Sequence, residues 1–142
     1  MNKVVGFLKF IFYISLLLLT VITLYPGSLL GLLLYGDPGM QPNLAENPYF
    51  TPMPSHLYTY ASIINHFIAF FYVSMLGLCL HLRSHNFQKI VFGLFFLSIF
   101  FEVLQFIIPR RAFEIYDVSA NFAGVLVAYC LIKIYKFWNS YE

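Results

Sequence analysis

Four long apolar stretches constrain what this chain can fold into. They run from about Phe7 to Tyr25, Leu57 to Leu80, Ile90 to Ile108 and Val118 to Trp138. A helix that crosses the hydrocarbon core of a bilayer needs ~20 mostly apolar residues, so each stretch is long enough to span it. A helix also pairs its own backbone polar groups, as lipid requires. The pattern predicts an all-α membrane protein, an antiparallel bundle of four transmembrane helices in a single domain over residues 1–142.

The composition agrees with a membrane environment. Of the 142 residues, 61% are hydrophobic and 10% are charged, whereas soluble domains carry about 25% charged residues. A fold of this size could not hide so much apolar surface from water. The net charge of +2 is too small to indicate a nucleic-acid partner. Membrane lipids are therefore the expected surroundings, and no nucleic acid is expected.

The basic residues predict how the helices are oriented. Six of the eight fall on one side of an antiparallel four-helix path: Lys3, Lys9, Arg83, Lys89, Lys133 and Lys136. Cytoplasmic segments carry the excess of Lys and Arg, so both termini are predicted to be cytoplasmic. The segment 26–56 is then a long extracytoplasmic loop, and its part 37–56 holds five of the seven prolines. A loop of this kind is either a functional lid or partner contact, or a disordered connector.

Polar residues inside the spans predict a functional or structural site. A charged group at a helix centre in the bilayer costs about 2.5–3.5 kcal/mol on insertion scales, and ionisable residues in spans are functional by default. The antiparallel path brings polar side chains of the last three helices into one leaflet, beneath the turn that carries Arg111. The predicted polar pocket comprises His66, Glu102, Gln105, Arg111, Asp117 and Asn121.

Two interpretations of this pocket stay open. It is either an internal lock, in which Arg111 pairs with Glu102 or Asp117, or a site for a polar lipid headgroup or lipid-linked substrate. His66 could act as a general base beside Glu102. No clear nucleophile accompanies them, with Ser62 the best of a poor set, so the catalytic residues are unknown and enzymatic activity is undecided.

A metal site is the weaker alternative for the same residues. A divalent ion held by His66, Glu102 and Asp117 is conceivable, but their spacing matches no known metal signature. The sequence therefore assigns no metal and no cofactor. The two cysteines, Cys79 and Cys130, lie inside apolar runs and are predicted to be buried, inert thiols.

A small-residue stripe on the fourth stretch predicts close helix packing. Ala120, Gly124 and Ala128 are spaced by four residues. Stripes of this kind let helices approach closely in lipid. Close approach would bring Asn121 against its neighbours.

These motifs resemble the VanZ-like family. The similarity rests on NHFIAFF around His66 and on EVLQFIIPRRAFEIYDVSANFAG, residues 102–124. The family pattern there is Glu-x-x-Gln, Pro followed closely by Arg, then Asp-x-x-Ala-Asn and a Gly. The matching positions are Glu102, Gln105, Pro109, Arg111, Asp117, Ala120, Asn121 and Gly124. The chain departs from the pattern at Ser62 and Ile63, where an Asp-Lys pair is common, and at Arg110, where a glycine is common.

The resemblance implies a small protein of the bacterial cell envelope, located in the inner membrane. The family is named for a protein linked to resistance to the glycopeptide antibiotic teicoplanin. The leading hypothesis is an outward-facing pocket that engages a lipid headgroup, a lipid-linked envelope precursor or a glycopeptide. Arg111 would contact an anionic group, and His66 and Glu102 would form the acid–base or hydrogen-bonding pair, with Asp117 and Asn121 orienting Arg111 and the ligand.

Two other functions remain as alternatives. The chain could be a structural or accessory subunit that binds other membrane protein subunits, as its small size suggests. It could also be a membrane-embedded hydrolase or transferase that acts on a lipid-linked substrate.

Overall fold

The fold consists of four α-helices. The computed structural model describes residues 2–25, 36, 55–105, 107–108 and 114–139, with residue 2 and residues 55–62 as backbone alone. The helices are α1 (Asn2–Leu24), α2 (Ser55–Leu80), α3 (Phe87–Gln105) and α4 (Ile115–Trp138), and these described ranges contain no strand. The predicted all-α fold is confirmed. Most of the predicted loop 26–56 lies outside the described residues. The exceptions are Gly36 and residues 55 and 56, which belong to α2.

All four helices are long and apolar enough to cross a membrane. The 19 residues of α3 span about 28 Å at ~1.5 Å per residue, close to the ~30 Å hydrocarbon thickness of a bilayer. Large apolar side chains cover the outside of the bundle, among them Phe92 at 72% exposed and Trp138 at 73% exposed. An outer surface of this kind is suited to contact with lipid tails.

The helices begin two to five residues earlier than the apolar stretches. The apolar run marks the part suited to hydrocarbon, whereas helical hydrogen bonding continues through the polar residues that precede it. Helix α3 ends at Gln105, three residues before the predicted end at Ile108, and a tight turn follows in which Ile108 N donates to Gln105 O. Glu102 is therefore about 4.5 Å from the helix end, instead of ~9 Å.

Contacts at the two ends of the bundle give the directions of the helices. At one end, the amide of Gln105, the last residue of α3, bonds the carbonyl oxygen of Thr23 near the end of α1. At the other end, Lys136 Nζ of α4 lies 3.5 Å from the ring centroid of Phe87, the first residue of α3. Helices α1 and α3 therefore run one way and α4 runs the other, as in an up-down-up-down path.

The most extensive helix–helix contact is between α2 and α4. A Cβ added at Gly124 would lie 2.6 Å from the carbonyl oxygen of Phe67 and 2.8 Å from the backbone N of Phe71. Ala120 and Ala128 are also buried. The predicted stripe of small residues thus lies where α4 meets α2, and only a glycine fits at its centre.

Aromatic and aliphatic side chains fill the space between the helices. The rings of Phe70 and Phe101 meet edge to face, with 6.3 Å between centroids, and join α2 to α3. The prediction that Cys79 and Cys130 are buried was wrong, because both are exposed on the outside of the bundle. In lipid, the outer face of a helix is as apolar as its inner face, so an apolar run does not indicate which residues are buried.

Candidate functional site

Four of the predicted pocket residues form one connected group, here called the polar cluster: His66, Glu102, Asp117 and Asn121. It lies near the end of the bundle where α3 ends and α4 begins. Glu102 is three residues before the end of α3, and Asp117 is two residues after the start of α4. Helix α2 supplies His66 from within its length. Three helices therefore each contribute an ionisable residue.

Asn121 lies at the centre of the polar cluster. Its Nδ2 donates to Glu102 Oε1 at 3.2 Å, and its Oδ1 lies 3.1 Å from His66 Nδ1. Because the amide nitrogen of Asn121 faces Glu102, its amide oxygen, which only accepts hydrogen bonds, faces the imidazole. His66 Nδ1–H is then the donor to Asn121. Asn121 and Glu102 are both fully buried.

The imidazole of His66 lies between two carboxyl groups from different helices. Its Nε2 is 3.3 Å from Asp117 Oδ2, and its Nδ1 is 3.7 Å from Glu102 Oε1. The His66 side chain is 20% exposed and that of Asp117 is 10% exposed. The polar cluster is therefore closed at Glu102 and reaches the protein surface at His66 and Asp117.

Gln105 is on the same helix as Glu102 but has a different partner. Its Nε2 donates to Thr23 O at 3.1 Å, and this bond links the ends of α1 and α3. The side chain is almost fully buried. Hydrogen bonds of this type between membrane helices contribute about 0.6 kcal/mol on average. The geometry thus gives Gln105 a role in helix packing.

Two residues singled out from the sequence cannot be placed in this way. Arg111 lies outside the described residues, and so does the side chain of Ser62. The predicted pairing of Arg111 with an anionic group, with Glu102 or with Asp117 therefore stays a prediction.

The polar cluster offers a set of atoms that could bind a metal ion. One atom from each of His66, Glu102 and Asp117 lies within 4.8 Å of the others, and no other such group of three was found among the described residues. The set combines one imidazole nitrogen with two carboxylate oxygens. In the sequence these three residues indicate a metal site only as the weaker alternative, because they are far apart in the chain and form no local metal motif.

An apolar groove, here called the α2–α4 groove, lies beside the polar cluster. Its volume is about 370 Å³. The residues that line it are Ile63, Ile64, Phe67, Tyr116, Ser119, Ala120 and Ala123. Ile63 is one helical turn before His66, and Tyr116 directly precedes Asp117. The sequence analysis missed this groove because its residues are ordinary in a membrane helix; the one available signal was the group of small residues at 119, 120 and 123.

These features define a class of protein. Four helices able to cross a membrane, with ionisable side chains buried between three of them, make the chain a multi-pass membrane protein. The chain belongs to the VanZ/LLP1 family, whose model matches residues 10–136. This match confirms the resemblance found in the motifs. Neither the curated proteins nor the solved structures contain a match.

Proposed function

We propose that this VanZ/LLP1 protein binds a lipid, or a lipid-linked precursor of the cell envelope, with its headgroup at the polar cluster and a chain in the α2–α4 groove. One observation supports the proposal above the others. A buried group of ionisable side chains and an apolar groove of about 370 Å³ occupy the same stretch of the α2–α4 contact. Lipids combine these two chemistries in one molecule.

The accessible residues indicate which headgroups would suit the site. Asp117 and His66 are the members of the polar cluster that reach the surface. A carboxylate accepts hydrogen bonds, so hydroxyl or ammonium groups on the headgroup are its natural partners. Arg111, predicted from the sequence to lie above the pocket, would bind a phosphate through charge-assisted hydrogen bonds. Phosphatidylethanolamine and phosphatidylglycerol both offer this combination.

We further place the polar cluster in the outer leaflet of the bacterial inner membrane. Lys133 and Lys136 are at the end of α4 that lies away from the cluster, and basic residues favour the cytoplasmic side. A fluorescent protein fused to the C-terminus should fluoresce in cells, and alkaline phosphatase fused there should be inactive. An active phosphatase fusion would reverse the proposed orientation.

Filling the α2–α4 groove is expected to weaken lipid binding. Ala123→Phe places a large ring among the groove residues and leaves the polar cluster unchanged. Each methylene that lipid can no longer bury costs about 0.8 kcal/mol, so the loss of two methylenes reduces the affinity about tenfold. Native mass spectrometry of the purified protein, titrated with phosphatidylglycerol or phosphatidylethanolamine, measures this change.

A second groove provides the matched control. It lies at the other end of α2 and α4, has a volume of about 300 Å³ and includes Cys79. Cys79→Phe should leave the lipid affinity unchanged. His66→Gln should lower the affinity, because it weakens the contact between the polar cluster and the headgroup. Equal effects of Ala123→Phe and Cys79→Phe, or a wild-type protein that binds neither lipid saturably, would refute the proposed site.

A further inference from the structure

We propose that the polar cluster binds one divalent transition-metal ion, held by His66 Nε2 and by carboxylate oxygens of Asp117 and Glu102. Zn²⁺ bonds nitrogen and oxygen ligands at ~2.0–2.2 Å, so neighbouring ligand atoms in a tetrahedral site are ~3.4 Å apart. His66 Nε2 and Asp117 Oδ2 are 3.3 Å apart. One ligand atom from each of His66, Glu102 and Asp117 lies within 4.8 Å of the others. Glu102 Oε1 is 3.7 Å from the other imidazole nitrogen, Nδ1, so the Glu102 side chain must rotate toward Nε2 to complete the site.

The hydrogen bonds of Asn121 determine which imidazole nitrogen is available. Because Asn121 donates to Glu102, its oxygen faces His66 and accepts from Nδ1–H. In a neutral imidazole, Nε2 then carries a lone pair, and this lone pair faces the Asp117 carboxylate. Two acceptors at this distance repel unless a proton or a metal ion lies between them, and we propose the metal ion. Metal-bound histidines characteristically donate their other N–H to a carbonyl or carboxylate oxygen, and Asn121 Oδ1 supplies that acceptor here.

Glu102 provides a second, independent observation. Its side chain is fully buried, and its Oε1 accepts from Asn121. The other oxygen, Oε2, is buried and has no hydrogen-bond partner among the described residues. Buried polar atoms in folded proteins are nearly always paired, because an uncompensated buried carboxylate is costly. A bound cation would remove this cost.

The ligand set narrows the choice of ion. Imidazole suits Zn²⁺, Fe²⁺, Cu²⁺ and Ni²⁺, whereas carboxylates suit Mg²⁺, Ca²⁺ and Mn²⁺. One imidazole with two carboxylates favours a transition metal of borderline character, and Zn²⁺ is the probe of choice. Three protein ligands would leave a fourth position for water. This inference does not depend on lipid binding, since it rests on the side chains of the protein alone.

Zinc titration of the purified full-length protein tests the site. The protein in detergent, stripped with a chelator and free of added lipid, should bind one Zn²⁺ per chain in isothermal titration calorimetry. His66→Gln and Asp117→Asn should each abolish this binding. The control is the double variant His81→Gln and His85→Gln, since these two histidines are four residues apart and could bind zinc adventitiously. It should keep the single site.

A measurement on the wild-type protein tests the metal site without relying on variants, which could fail to fold. X-ray absorption at the zinc edge should show one imidazole and otherwise oxygen ligands. Two imidazoles, a sulfur ligand, or binding that depends on His81 and His85 would overturn the proposal. Absence of stoichiometric zinc uptake would also overturn it, and would indicate that a proton joins His66 to Asp117. None of these results bears on lipid binding, which the groove variants test separately.

Discussion

Replacement of Gly124 by alanine is expected to destabilise the helix bundle by about 1–3 kcal/mol, the range for overpacking a well-packed core. The added Cβ would lie 2.6 Å from the carbonyl oxygen of Phe67 and 2.8 Å from the backbone N of Phe71. Both atoms belong to the backbone of α2, so no side-chain rotation can relieve the contact. The two helices must move apart, and the polar cluster that they hold together must widen with them.

Gly93→Ala is the matched control for this prediction. Gly93 lies within α3, and a Cβ there meets nothing within 4 Å. We expect this variant to be as stable as the wild type or up to about 1 kcal/mol more stable, because alanine has a higher helix propensity than glycine. Unfolding of both variants by SDS in mixed micelles, followed by circular dichroism, gives the comparison. Equal stabilities of the two variants would show that the close approach of α4 to α2 contributes nothing to the fold.

The sequence predicts the four helices because each apolar run has the length that a bilayer imposes. It does not predict where the helices start, because polar residues at the membrane surface also join the helix; α1, for example, begins at Asn2, ahead of the apolar run. It also fails at Cys79, which lies on the outside of the bundle. In water, an apolar residue is expected in the interior, but in lipid the outer face of a helix is apolar as well.

The residues of the polar cluster can be found in the sequence because ionisable groups are costly in lipid and therefore rare there. Their contacts cannot be found in this way. Gln105 shares a helix face with Glu102, yet its amide bonds Thr23, and Asn121 joins His66 to Glu102. Spacing fixes the face of one helix, but the rotation and height of the neighbouring helix depend on packing. Here the contact at Gly124 allows α4 to approach the backbone of α2 closely.

Substitution of Asn121 by leucine is expected to lower the free energy of unfolding by about 2–4 kcal/mol. Leucine has a similar volume but can replace neither of the hydrogen bonds that Asn121 makes. Glu102 Oε1 would lose its donor, and His66 Nδ1 would lose its acceptor. Each buried group left without a partner costs about 1–3 kcal/mol. The same SDS unfolding measurement detects the loss.

The control for Asn121→Leu is Ser98→Ala, which also removes a polar group from a fully buried position. Ser98 donates a single hydrogen bond, to Phe95 O within its own helix, so its loss should cost only about 0.5–1.5 kcal/mol. The double variant Asn121→Leu with Glu102→Leu distinguishes the contribution of the Asn121–Glu102 hydrogen bond from the contribution of side-chain packing. Removing both partners of a buried hydrogen bond can be nearly neutral, so the double variant should be more stable than the sum of the single effects predicts, by about 0.5–3 kcal/mol. Strict additivity would mean that the bond from Asn121 to Glu102 does not stabilise the bundle, and that Asn121 matters there only for its volume.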